Sequence, residues 1–168
     1  MPEKRTLQRA ARDRRQGKAP STQAGEFVRE EMDHIRHGKH GARSTKQAIA
    51  IGLAKARRAG VKLAAPRPGE ASPRTREHAE RDLAAGAHGP HKTSTRRSRA
   101  TESALKREPR QAASKKALAS QARTSARKRT AAERSAAARQ AAQTKGAAGR
   151  TAAARKAART RARHRAGG

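Results

Sequence analysis

The sequence has no cysteine and almost no aromatic residues, since Phe27 is the single aromatic side chain among 168 residues. The absence of cysteine excludes disulfides and thiolate metal sites. Proteins that bind single-stranded nucleic acids usually stack the bases on aromatic side chains. The shortage of aromatic residues therefore disfavours sequence-specific RNA recognition and favours contacts with the backbone of a duplex.

Large apolar residues are also scarce, because Leu, Ile, Val and Phe together number 12. No stretch approaches the roughly 20 apolar residues of a membrane span. Residues 1–18 contain no apolar segment of the kind found in secretory signals. We therefore expect no membrane span. The expected location is cytoplasmic, in the nucleoid. So few large apolar residues, combined with high net charge, are typical of chains that are largely disordered alone.

Acidic residues are few, with 13 Asp and Glu against 43 Lys and Arg, which gives a net charge of +30. Such a chain attracts polyanions. The composition predicts non-sequence-specific binding of DNA, most simply duplex DNA, by neutralisation of phosphates, as in histone-like, nucleoid-associated proteins. Two alternatives stay open: an RNA- or ribosome-associated protein, and a protein-interaction module with a basic tail. Homo-oligomerisation is also open, and no small-molecule substrate is expected.

Composition divides the chain into four regions. Residues 1–20 form a basic N-terminal segment, and residues 21–63 hold most of the large apolar side chains. Residues 64–110 contain five of the seven prolines and are predicted to be a linker. Residues 111–168 contain 22 Ala, 16 Lys and Arg, and one acid, Glu133. The expected fold class is all-α: a small helical hairpin followed by a long tail that is either disordered or forms nascent helices.

The hairpin prediction depends on two apolar stripes at helical spacing. The first, over residues 21–37, comprises Ala24, Phe27, Val28, Met32 and Ile35. The second helix begins at Ser44, which has capping-box spacing with Gln47. Its stripe comprises Ile49, Leu53 and Ala56, and Gly60 ends it.

Residues 38–60, GKHGARSTKQAIAIGLAKARRAG, resemble a family of small bacterial domains of unknown function. In that family a Gly-Lys-His/Lys loop precedes a Lys-Gln-Ala-Ile-Ala-Ile-Gly/Ala-Leu helix. The resemblance covers about residues 20–63 and implies no particular activity. Separately, the Ala/Arg/Lys-rich tail resembles linker-histone tails and Ala/Lys-rich bacterial histone-like proteins.

The candidate phosphate contacts lie in three places. The start of the second helix offers free backbone N–H groups and a partial positive charge. Its neighbours include Lys39, Arg43, Ser44 and Lys46, with Arg57 and Arg58 at the other end of the helix. The second place is a Ser/Thr/Arg segment with Arg96, Arg97 and Arg99. The third is the tail, with Arg123, Arg127, Lys128, Arg129, Arg155, Lys156, Arg159 and Arg163.

Three histidines, His34, His37 and His40, suggest a metal site, and the first two are spaced to share a helix edge. Zinc sites usually show a clearer grouping of ligands, so we expect no metal and no cofactor. The nearby acids Glu30, Glu31 and Asp33 are expected to be solubilising charges on an exposed face. The sequence has no P-loop, nucleophile elbow or dinucleotide fingerprint, and we do not expect an enzyme.

Overall fold

A computed structural model describes residues 2–89 and 94–166 of the chain. These residues form α1 (Lys4–Arg15), α2 (Pro20–Arg36), α3 (Thr45–Arg58), α4 (Pro73–Ala87), α5 (Thr95–Lys106), a 3₁₀ helix (Arg110–Ala113), α6 (Lys115–Arg127) and α7 (Ala131–Ala166). Within the described ranges there is no β-strand. The predicted all-α class is confirmed.

The predicted hairpin is present as α2 and α3. Helix α2 begins at Pro20, a residue suited to the first helical turn because it has no N–H to leave unpaired. Ser44 caps α3, and its side chain accepts a hydrogen bond from the Gln47 N–H. Gly38 and Gly60 follow the two helices with φ of +75° and +85°, the left-handed conformation that glycine adopts most easily at helix ends.

The two predicted stripes supply most of the core, which consists of two clusters. In the first, Met32 and Ile35 pack with Ala42, Ala48, Ala112 and Ala113, with Val28, Ile49 and Leu118 at its edge. In the second, Phe27 packs with Ala10, Ala24, Ala56 and Val61, with Leu53 and Leu63 at its edge. Residues outside 21–63 therefore cover part of the apolar surface of the predicted hairpin.

Segments on both sides of the hairpin pack against it. Helix α1 contacts α2, α4 contacts α3, and the 3₁₀ helix contacts both α2 and α3. Residues 1–121 cluster as one compact unit, where the sequence predicted a basic segment, a hairpin, a linker and, from residue 111, the start of the tail. The amino-acid composition did not predict this packing, because the buried residues of the flanking segments are mainly alanines, such as Ala10, Ala79 and Ala112.

Small residues allow the helices to approach closely. A Cβ on Gly52 of α3 would lie 2.6 Å from the Val28 Cα of α2. A Cβ on Gly86 of α4 would overlap the Arg57 carbonyl oxygen of α3. Real Cβ atoms do not come this close, so both helix pairs require glycine at the crossing.

We expect Gly52→Ala to lower the free energy of unfolding by about 1–3 kcal/mol, the usual range for overpacking. The matched control is Gly25→Ala in α2, where a Cβ would meet nothing within 4 Å. It should raise stability by up to about 1 kcal/mol, because alanine favours helix over glycine. Thermal unfolding followed by circular dichroism checks both signs. Equal stabilisation by the two changes would contradict the close crossing.

Residues 122–168 form a second unit, dominated by α7. The structure describes helix here, so the disordered form of the predicted tail is not supported. Alanine and arginine favour helix, and α7 opens with a capping box, in which the Glu133 N–H donates to Thr130 Oγ1 at 3.2 Å and the Thr130 N–H donates to Glu133 Oε2 at 2.7 Å. Helix α7 kinks at Gly146, where φ is +65°.

No helix in the described ranges combines the length and apolar character needed to cross a bilayer.

Candidate nucleic-acid interface

The second half of α7 carries a row of basic side chains along one side. Arg155, Arg159 and Arg163 are spaced at i,i+4, and with Lys156 they line a shallow surface open to solvent. Each step of four residues advances about 6 Å along a helix. The structure thus brings together four of the tail residues that the sequence nominated, and we call them the α7 basic face.

The charge of this region is almost entirely positive. Residues 122–168 contain 14 Lys and Arg but only one acid, Glu133, near the start of α7. No residue of α7 is buried in the described part of the chain. The basic face is therefore exposed, and no acid lies near it in sequence to neutralise it.

The remaining tail candidates are exposed as well. Arg123 and Arg127 lie in α6, and Lys128 and Arg129 lie in the turn before α7. In the first unit, the nominated residues Arg96, Arg97 and Arg99 lie on α5 and are also exposed. These residues have the accessibility that a phosphate contact needs.

The start of α3 is less available than the sequence predicted. The N–H groups of Gly41 and Ala42 donate to the carbonyls of Leu105 and Pro109, at 2.8 and 3.0 Å. The Arg43 N–H donates to Gln47 Oε1 at 2.7 Å. Segments from the predicted linker thus occupy two N–H groups of this loop, and the Gln47 side chain occupies a third, which reduces the number of backbone donors available to an anion.

The basic side chains around this loop divide into two groups. Lys39 donates to Glu3 Oε1 at 2.7 Å, and this bond, with a second from His34, lowers the pKa of the Glu3 carboxyl to about 2. Arg43 and Lys46 are exposed and keep the access to phosphate that was expected of them. Ser44 acts as the cap of α3.

Arg57 does not fit the role that the sequence assigned to it. Its side chain is buried and donates to the carbonyl oxygens of Leu63 and Ala64, at 3.1 and 3.2 Å. Burial lowers the pKa of its guanidinium from the ordinary value. Arg57 therefore holds the segment after α3 in place, and we remove it from the interface. Arg58 is exposed but pairs with Asp82 of α4 at 2.7 Å.

The structure also gathers residues that the sequence treated separately. Glu31, His34 and His40 each place one possible metal-ligand atom within 4.8 Å of the others. Glu31 is fully buried, contrary to the expectation that it lies on an exposed face, and Glu30 is buried too. His37, the residue after α2, is exposed and bonds through its ring to the Asp33 carbonyl of that helix. The Glu-x-x-His spacing of Glu31 and His34 was the overlooked signal, since residues at i,i+3 share a helix face.

Comparison with known proteins identifies no relative: no family model, no curated protein and no solved structure matches the chain. The resemblance of residues 20–63 to small bacterial domains therefore depends only on the sequence pattern of residues 38–60.

Proposed function

We propose that this protein binds duplex DNA without sequence specificity, by placing the α7 basic face against the phosphate backbone. The observation that carries the proposal is this face itself: an exposed helical row of Arg155, Arg159 and Arg163, beside Lys156, with no acid nearby in sequence. Such a helix lowers its own charge repulsion by binding a polyanion and releasing the counterions of that polyanion.

The dimensions of the face suit a duplex. Arg155 and Arg163, at the two ends of the face, are eight residues apart and therefore about 12 Å apart along the helix at 1.5 Å per residue. Duplex DNA carries one phosphate charge per about 1.7 Å of its axis with both strands counted, so about seven phosphate charges lie along a length of DNA equal to that of the face. Phosphate contacts fix orientation but read no sequence, which supports non-specific binding.

Charges in the first unit have other partners, which distinguishes it from α7. Buried acids pair with bases there: Asp13 with Lys18 at 2.6 Å, and Glu31 with Lys55 at 2.5 Å. Of the 13 acids in the chain, 12 precede residue 122. Residues 1–121 thus contain 12 acids against 29 Lys and Arg, whereas residues 122–168 contain one acid against 14, so the charge of α7 is the less balanced of the two.

The experiment compares equilibrium binding to two unrelated DNA duplexes and one RNA duplex, all of equal length, by fluorescence anisotropy at matched salt. We expect the two DNA affinities to agree within a few-fold, and DNA to bind at least as tightly as RNA. A large preference for one DNA sequence would refute non-specific binding. Tighter RNA binding would favour the RNA-associated alternative, and no binding to any duplex would favour the interaction module.

A further inference from the structure

A cluster of ionisable side chains lies where α2, the α2–α3 loop and α3 meet. Glu31 of α2 is fully buried, and the side chains of His34 and His40 are each less than 15% exposed. Lys55 of α3 contacts Glu31 Oε2 at 2.5 Å. The other oxygen, Glu31 Oε1, has no hydrogen-bond partner in the described part of the chain. A buried carboxylate oxygen without a partner is costly, so this atom calls for an explanation.

The position of His40 supplies one. Its Nδ1 lies 3.0 Å from the Gly41 carbonyl oxygen. A carbonyl can only accept, so Nδ1 must carry the proton, and in the neutral ring Nε2 then holds a lone pair. That Nε2 faces Glu31 Oε1 at 3.2 Å without forming a hydrogen bond. Two electron-pair donors thus face one another in a buried site, which is the arrangement that a cation satisfies.

The hydrogen bond to Gly41 is also the support that metal-bound histidines ordinarily have. Such histidines usually donate their other ring N–H to a carbonyl or a carboxylate, which fixes the ring and the tautomer. His34 has comparable surroundings, because its Nε2 lies 2.8 Å from Glu3 Oε1 and 3.9 Å from Glu30 Oε1. Glu30 Oε1 is a second buried oxygen without a hydrogen-bond partner among the described residues. Carboxylates therefore surround both histidines.

We propose that Glu31, His34 and His40 bind a divalent transition-metal ion of the Zn²⁺ class. Two imidazoles and one carboxylate are a common zinc ligand set, and imidazole favours Zn²⁺, Ni²⁺ and Cu²⁺ over Ca²⁺ or Mg²⁺. Ligands around one Zn²⁺ at about 2.0–2.1 Å lie about 3.3 Å apart in a tetrahedron. The three candidate ligand atoms lie within 4.8 Å of each other. Each pair would therefore need to come closer by at most about 1.5 Å to reach the spacing of a tetrahedral zinc site.

Local charge is compatible with a dication. Glu3, Glu30 and Glu31 contribute three negative charges, against two positive charges from Lys39 and Lys55, which contact them. With neutral histidines the cluster is left with excess negative charge. Lys55 contacts Oε2 of Glu31, which leaves Oε1 as the ligand atom.

The bound ion would connect α2 to the loop that leads into α3. Domains with small cores commonly depend on a metal or a disulfide for stability, and this chain has no cysteine. Bound there, the metal would add to the stability of the fold, independently of the proposed DNA binding.

The test uses the full chain, freed of nucleic acid and without a histidine tag, titrated with Co²⁺ and then Zn²⁺. Co²⁺ bound by nitrogen and oxygen ligands should give visible absorption bands at one equivalent, which Zn²⁺ removes. His34→Gln and His40→Gln should each weaken metal binding by at least about 100-fold. Loss of a residue that only hydrogen-bonds to a metal ligand usually costs about 10- to 100-fold, so a larger loss indicates a ligand. His37→Gln is the matched control, because His37 is an exposed histidine that directly follows α2, and it should bind like the wild type.

A folding check keeps the result interpretable. Circular dichroism should show the same helix content for all three variants without metal. Zn²⁺ should raise the melting temperature of the wild type and of His37→Gln, but not of His40→Gln. Absence of stoichiometric Co²⁺ binding to the wild type would overturn the proposal and leave an ion-pair network. Equal binding by His40→Gln and the wild type would overturn it as well. Neither outcome bears on DNA binding, since no readout involves DNA.

Discussion

Affinity for duplex DNA should fall by roughly 10³ to 10⁵ when salt rises from about 50 to 200 mM. Each phosphate contacted releases condensed counterions, so log affinity falls linearly with log salt, with a slope of about −0.9 per contact. Residues 122–168 offer 14 Lys and Arg. A single helix presents only part of them to one duplex, and about 6–10 contacts would give a slope near −5 to −9.

Anisotropy titrations across a salt series measure this slope on the full chain. The slope of log affinity against log salt is more informative than any single dissociation constant, because a dissociation constant can be interpreted only together with its salt concentration. A slope close to zero would show that interactions other than phosphate neutralisation hold the complex, and would remove the basis of the proposed function.

The sequence predicted the hairpin well, because its large apolar residues obey helical spacing. Phe27 and Ile35 mark the buried face of α2, and the Ser44 cap and Gly60 mark the ends of α3. These signals are local: they depend on residues three or four positions apart and need no knowledge of the rest of the fold.

The packing around the hairpin could not be predicted in the same way. Ala10, Ala79 and Ala113 are buried, but alanine is common both in cores and on exposed helices. Whether an alanine is buried depends on how closely a distant helix approaches, and here glycines such as Gly52 and Gly86 set that distance. Composition alone therefore underestimated how much of the chain folds around the hairpin.

The same limitation applied to the site residues. Charge pattern indicated the tail arginines, and α7 places three of them on one face. Pattern could not separate Arg57, which is buried against backbone carbonyls, from exposed arginines. Nor could it bring His40 to Glu31, because that contact depends on how the loop after α2 folds back.

We propose that the α7 basic face, rather than net charge alone, contacts DNA. The variant Arg155→Gln, Arg159→Gln, Arg163→Gln removes three positive charges from this face. Glutamine favours helix nearly as well as arginine, so α7 should be retained. The matched control is Arg5→Gln, Arg12→Gln, Arg15→Gln, which removes three exposed charges from α1 and leaves the same net charge.

The decisive measurement is the salt slope of DNA binding for the wild type and these two triple variants, on one duplex under the same conditions. If the α7 basic face binds phosphates, the α7 variant should have a slope shallower than the wild type by up to about 2.7, because each arginine–phosphate pair accounts for about 0.9 of the slope. The α1 variant should keep a slope within about 0.9 of the wild-type value. Equal flattening in both variants, or an unchanged slope in the α7 variant, would contradict the assignment of DNA binding to α7.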